Sequence, residues 1–178
     1  LGFFLIVAFL LTELRKSYRY QISLAQTDFL TGALNPRAFY KAVEMEIFRS
    51  RRYDRAFTIC YLDADNFKQV NDAYGHHVGS ELLVGIVQIT RQTLRATDIV
   101  ARLGGDEFAI LLPETDKRQA QIVVNKLRAE LLAEMQSNGW AVTFSIGVST
   151  YANSPENADE VIKIADNLMY QVKKNGKN

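Results

Sequence analysis

The sequence predicts an α+β fold in which helices cover a mixed β-sheet around one hairpin. Stretches with helical periodicity alternate with short β-rich runs along the chain. Two apolar runs, 98–103 and 108–113, flank a Gly-Gly-Asp-Glu turn, which is the pattern of a β-hairpin. The chain has 178 residues, enough for one domain with a full core.

Residues 1–11, LGFFLIVAFLL, are uncharged and almost wholly apolar. They are too few to span a bilayer, which takes about 20 residues, so they read as the end of a transmembrane helix. Arg15, Lys16 and Arg19 follow at once, as expected on a cytoplasmic side. A buried or coiled-coil linker helix is the alternative. No n-region or cleavage site marks a signal peptide. Residues 12–26 continue as a linker helix, which places a domain boundary at 26/27. Beyond it, Asn35 is a possible cap for a helix over 36–53, and 57–62 is a buried strand. A helix over 79–95 carries Leu82, Leu83, Ile86 and Ile89. The hairpin follows, then a helix over 117–135, a strand over 140–150 and a helix over 158–174.

Gly104 and Gly105 permit backbone shapes and close approaches that a side chain would block. Asp106 and Glu107 then place two carboxylates at the hairpin tip. Polar tips are common, so this signal gains its weight from Asp63 and Asp65, at the end of the buried strand. Asp65 is also readable as part of the N-cap of a helix starting near Asn66. Asp63 with Asp106 is the pair suited to a hard cation such as Mg²⁺, which takes one or two carboxylates and fills its other positions with water and phosphate oxygens. A net charge of +1 gives no global pull towards a nucleic acid polymer. Cys60, the single cysteine, reads as a small core residue, which excludes an internal disulfide and fits a reducing cytosol. His76 and His77 read as structural residues on a turn.

Several motifs in order resemble the GGDEF family, the diguanylate cyclases. They are Asp28-Phe29-Leu30-Thr31-Gly32, Asp63-Ala64-Asp65-Asn66-Phe67-Lys68 with Asn71-Asp72, Gly75-His76 and Gly79, Arg95-Ala96-Thr97-Asp98, the string Gly104–Phe108, Ser145-Ile146-Gly147-Val148, and Lys173 to Asn178. The resemblance covers residues 27–178. It implies a ferredoxin-like palm, with a mainly antiparallel sheet covered by helices, and a nucleotidyltransferase that joins two nucleoside triphosphates into a cyclic dinucleotide. It further implies Mg²⁺ or Mn²⁺ on Asp63, Asp106 and the Ala64 carbonyl, with Glu107 assisting deprotonation of the 3′-hydroxyl or holding a second metal. The amides of Asn66 and Phe67 would cradle phosphates, with Lys68, Lys173 and Lys177 adding charge. Lys177 stands where the family usually has Arg. Read alone, Lys173 to Lys177 is an ordinary basic helix end. Arg95 and Asp98 match the family's product-inhibition site, although such a pair is also common at a helix end. Each chain would hold one triphosphate, so catalysis implies a homodimer. The apolar run 1–11 and the basic residues after it, taken with the resemblance, lead to the expectation of a cytoplasmic catalytic domain tethered to the bacterial inner membrane. The rival classes are a nucleotide receptor without activity and a structural dimerisation module. The retained acids and the retained phosphate and base positions favour an enzyme.

One position departs from the family. An Asp usually follows Gly79 and accepts from guanine, and here it is Ser80. Asn71, the other base-contacting position, is kept. A carboxylate only accepts, whereas a hydroxyl can donate or accept. Ser80 could therefore serve adenine as well as guanine. The expectation is use of ATP with GTP, giving cyclic AMP-GMP besides cyclic di-GMP. The alternative is a GTP-specific enzyme making cyclic di-GMP alone.

Overall fold

The computed structural model describes residues 26–153 and 155–174, together with residues 4, 7, 9–14 and 16. Nine elements follow one another between residues 36 and 174: α1 (Pro36–Tyr53), β1 (Phe57–Asp65), α2 (Phe67–Tyr74), α3 (His76–Thr93), β2 (Ile99–Gly104), β3 (Glu107–Leu112), α4 (Lys117–Ser137), β4 (Thr143–Tyr151) and α5 (Ala158–Lys174). The sheet order is β2-β3-β1-β4, and every pairing between these strands is antiparallel. The Leu34–Ala101 bridge adds a parallel contact at the β2 edge. The expected α+β palm is therefore the fold observed.

Strand β1 is buried at all nine positions. It lies between β3 and β4, and helices cover both of its faces. Cys60, Leu62 and Ala64 point into a core formed with α2, α3 and α4. Phe57, Ile59 and Tyr61 point into the opposite core, formed with α1 and α5. Two apolar environments remove the polar alternation of a half-exposed strand. Cys60 is among the core residues as expected, and burial pushes its thiol up to about 12.

Several boundaries differ from the sequence expectation. Strand β1 runs past residue 62 to Asp65, so Asp65 is a strand residue and not a cap. The residue preceding α2 is Asn66, in the left-handed region at φ +66°. The expected helix over 79–95 begins earlier, at His76, so His76 and His77 open α3. Gly75, at φ +86°, separates α2 from α3. The last strand starts at Thr143 because residues 138–142 close the end of α4. There the Trp140 amide donates to the Met135 carbonyl at 2.9 Å.

The expected membrane and linker segments fall largely outside the described residues. Residues 9–14 are helical and exposed. Among the described residues, no helix is long and apolar enough to cross a membrane.

Candidate active site

Asp63 and Glu107 are direct partners across β1 and β3. Opposite residues of an antiparallel pair project to the same face, so these two acids are neighbours. The hairpin turn places Asp106 beside them, with Gly105 at φ +48°. The Ala64 amide donates to the Asp106 carbonyl at 3.2 Å, which ties the tip to β1.

The three acids repel one another. Burial, then the charges of Asp106 and Asp65, hold Asp63 above the usual carboxylate range despite its bond to Lys173. Partial desolvation of its largely exposed carboxyl, then the charges of Asp63 and Asp106, raise Glu107 likewise. Lys173 Nζ donates to Asp63 Oδ2 at 2.6 Å, and Asp63 Oδ1 is buried with no hydrogen-bond partner. Burial lowers Lys173, but the bond to Asp63 and the surrounding acids raise it more. Among the described residues, no three His, Cys, Asp or Glu side chains are gathered closely enough to hold a metal ion together. The orphaned oxygen and the excess negative charge nevertheless fit a divalent cation.

Asp65 stands apart from this group. It accepts from Thr143 Oγ1 at 2.9 Å and from Ser145 Oγ at 3.0 Å, which fully occupies a buried carboxylate. Its work is to join β1 to β4. The Ser145-Ile146-Gly147-Val148 motif contributes here, and it does so again at Gly147. A Cβ on Gly147 would lie 2.9 Å from the Ala165 carbonyl oxygen and closer still to the Met169 amide. The backbone of α5 thus rests directly on the strand, and one turn beyond Met169 the helix delivers Lys173 to Asp63.

Arg102 holds the hairpin. Its Nε and Nη2 donate to the Gly105 carbonyl at 3.0 and 2.8 Å. Its Nη1 pairs with Asp28 at 3.1 Å. Asp28 also accepts from the Thr31 amide and hydroxyl at 2.9 and 2.7 Å. The Asp28–Gly32 motif is therefore an anchor for the hairpin turn. The role of Arg102 was not read from the sequence. An arginine just ahead of a two-glycine turn is the signal that could have found it.

A groove of about 550 Å³ lies beside α3, lined by Leu30, Ser80, Glu81, Val84 and Trp140 among others. Ser80 Oγ donates to the His76 carbonyl at 2.9 Å. Asn71 is brought near Ser80 through Gly79, where a Cβ would collide with the Asn71 side chain. Glu81, the next residue, lines the same groove and lies 3.8 Å from His77 Nε2. Phe67 and Lys68 open α2 next to the acids, with Asn66 before them. At the far end of α3, the Arg95 amide donates to Asp98 Oδ2 at 2.9 Å. Among the described residues, no ion pair joins those two side chains. Lys177 lies outside the described residues.

The chain matches the family model described as diguanylate cyclase, GGDEF domain, over residues 25–178. It is 36% identical over 171 residues to the bifunctional diguanylate cyclase/cyclic di-GMP phosphodiesterase MucR of Pseudomonas aeruginosa, covering 95% of this chain and 25% of that protein. Among solved structures it is similar to the diguanylate cyclase SiaD of Pseudomonas aeruginosa in complex with its activator SiaC, with a TM-score of 0.77 and 31% identity, covering 96% of this chain and 70% of SiaD. The coiled coil and GGDEF domain of DgcB from Caulobacter crescentus, in complex with c-di-GMP, shares the fold at a TM-score of 0.87 and 24% identity, covering 96% of this chain and 92% of that one. The chain spans a quarter of MucR's length.

Proposed function

The chain belongs to the GGDEF family of diguanylate cyclases, and from that premise we propose that it condenses two GTP molecules into cyclic di-GMP with release of pyrophosphate. The observation that carries this reading is the acid group itself. Asp63 and Glu107 face each other across two strands, Asp106 sits beside them, and one oxygen of Asp63 has no partner.

Asp63, Asp106 and the Ala64 carbonyl would hold Mg²⁺ or Mn²⁺. Such a cation neutralises charge on the α-phosphate and leaving group and makes the 3′-hydroxyl more acidic. The chain's own groups do the rest. Glu107 takes the proton of the attacking 3′-hydroxyl, and its raised affinity for protons suits that task. The 3′-oxygen bonds to the α-phosphorus as the bond to pyrophosphate breaks. A second such step, in the opposite sense, closes the ring. The amides of Asn66 and Phe67, with Lys68, Lys173 and Lys177, bind the triphosphate. Each chain supplies one half of the reaction, so two chains must face each other as a homodimer. Arg95 and Asp98 form the site for the cyclic product. Residues 1–26 link the catalytic domain, 27–178, to its input and to the bacterial inner membrane.

The bond from Ser80 to the His76 carbonyl favours guanine. With its hydrogen committed there, the hydroxyl offers only lone pairs to the groove. Those suit the N1–H and N2–H₂ donors of guanine and oppose the N1 acceptor of adenine. A second reading, with ATP accepted and cyclic AMP-GMP formed, rests on the replacement of the family's Asp by Ser. It requires the hydroxyl to leave His76, at a cost of about 1 kcal/mol. Ser80→Asp separates the two readings. It leaves the products unchanged under the first and removes cyclic AMP-GMP under the second.

Glu107→Gln tests the activity. Glu107 is exposed, so the variant should keep its melting temperature while cyclic di-GMP formation falls by about 10²-fold or more. Turnover within a few-fold of the parent chain would end this reading.

A further inference from the structure

The pairing of Lys173 with Asp63 has consequences for how the site fills. Asp63 is almost completely enclosed, with 2% of its side chain exposed, while Lys173 keeps 37%. A buried carboxylate left without a counter-charge is strongly destabilising. Asp106 and Glu107 add negative charge at the same place. The Lys173 ammonium neutralises Asp63 through Oδ2 and leaves Oδ1 without a partner.

Lys173 lies in the last turn of α5. Its flexible four-carbon stem and half-exposed head can change partners without moving the helix. A divalent cation on Asp63 would repel the ammonium at this distance. A triphosphate would offer it a new partner. We propose that Lys173 is an exchangeable counter-ion of the metal seat, neutralising Asp63 until a divalent cation takes the carboxylate and then passing to the triphosphate. The proposal rests on the reading of Asp63 and Asp106 as metal ligands.

Two properties follow. A divalent cation alone binds weakly, because it displaces an ammonium that then has no partner. Cation and triphosphate strengthen each other's binding, because the cation frees Lys173 from Asp63 and the triphosphate then takes it as a partner.

The test uses Mn²⁺ alone, with no nucleotide, and reads free Mn²⁺ by electron paramagnetic resonance. Lys173→Met removes the competing charge and should bind Mn²⁺ about tenfold more tightly than the parent chain. The same variant should melt lower in EDTA and recover on addition of Mn²⁺. Lys173→Arg keeps a cation and should stay within a few-fold of the parent affinity. Asp63→Asn/Lys173→Met carries neither charge, so it should fold in EDTA and lose the tight Mn²⁺ site. Measurable Mn²⁺ binding by the parent chain with no gain in Lys173→Met overturns the exchange while leaving the metal reading intact. Tight binding retained by the double variant, or no binding by any form, overturns the metal reading itself.

Discussion

Gly147→Ala is a small change with a large expected effect, because of where α5 rests. The added methyl would lie 2.9 Å from the Ala165 carbonyl oxygen and from Met169 Cα, where ordinary contact begins near 3.4 Å. The obstacles are backbone atoms, so no side chain can rotate out of the way. The helix must lift by at least about 0.5 Å, at a cost of about 1–3 kcal/mol from overpacking. For a domain of this size that lowers the melting temperature by about 2–12 °C. The lift also draws Lys173 away from Asp63, whose 2.6 Å bond leaves little slack. Misplacement on this scale lowers turnover by up to about 100-fold. Differential scanning fluorimetry and cyclic di-GMP formation measure the two effects. Gly85→Ala is the control for melting temperature, because a Cβ there meets nothing within 4 Å. It should stabilise α3 by about 0.5–1 kcal/mol. A Gly147→Ala protein with parental melting temperature and turnover would refute the claim that α5 positions Lys173 through this contact.

Arg102→Ala should lower turnover by about 10- to 100-fold, because the Gly105 carbonyl and Asp28 lose the guanidinium that fixes the hairpin. Steady-state kinetics against the parent chain would show it, and an unchanged rate would remove Arg102 from the account. Asp28 gives a pH dependence. Burial raises its carboxyl, but bonds from Thr31 and Arg102 outweigh this and hold it below its ordinary value. Its contribution is therefore complete above the unfolded value and is lost as pH falls through the lower folded one. Asp28→Asn should melt below the parent chain at neutral pH, and the gap should close in acid. A gap that is constant or widens in acid contradicts the bonding described. Rate per chain should also fall on dilution, because two chains must meet to close one ring. A rate per chain independent of concentration down to the nanomolar range would oppose the dimer.

Much of this site was legible because its chemistry is written in short segments. Asp106 had to sit at a turn, since two glycines between apolar strands allow little else, whereas Glu107, expected at the tip with it, is the first residue of β3 and pairs with Asp63. Asp63 was legible as the acid following a buried run. What could not be read was the role of Asp65, which is a strand residue bonded to β4 and not a helix cap. Asp63 and Asp65 share a sheet face, and only the pairing with β4 sets Thr143 and Ser145 beside Asp65. The end of β1 was misplaced for the same reason, because buried acids look like a strand's end. Gly147 and Arg102 act through contacts with segments distant in the chain, and no local pattern announces them. Ser80 is the reverse case. Its identity was plain, but the direction of its hydroxyl depends on the carbonyl of His76, one helical turn away.

Product analysis by mass spectrometry tests the central claim most directly. The chain is incubated with Mg²⁺ and GTP alone, ATP alone, or both. The account predicts cyclic di-GMP in both GTP-containing samples and no cyclic product from ATP alone. A mixed cyclic AMP-GMP as a major product would contradict the assignment of Ser80 as an acceptor for guanine, and the absence of any cyclic dinucleotide would contradict the activity itself.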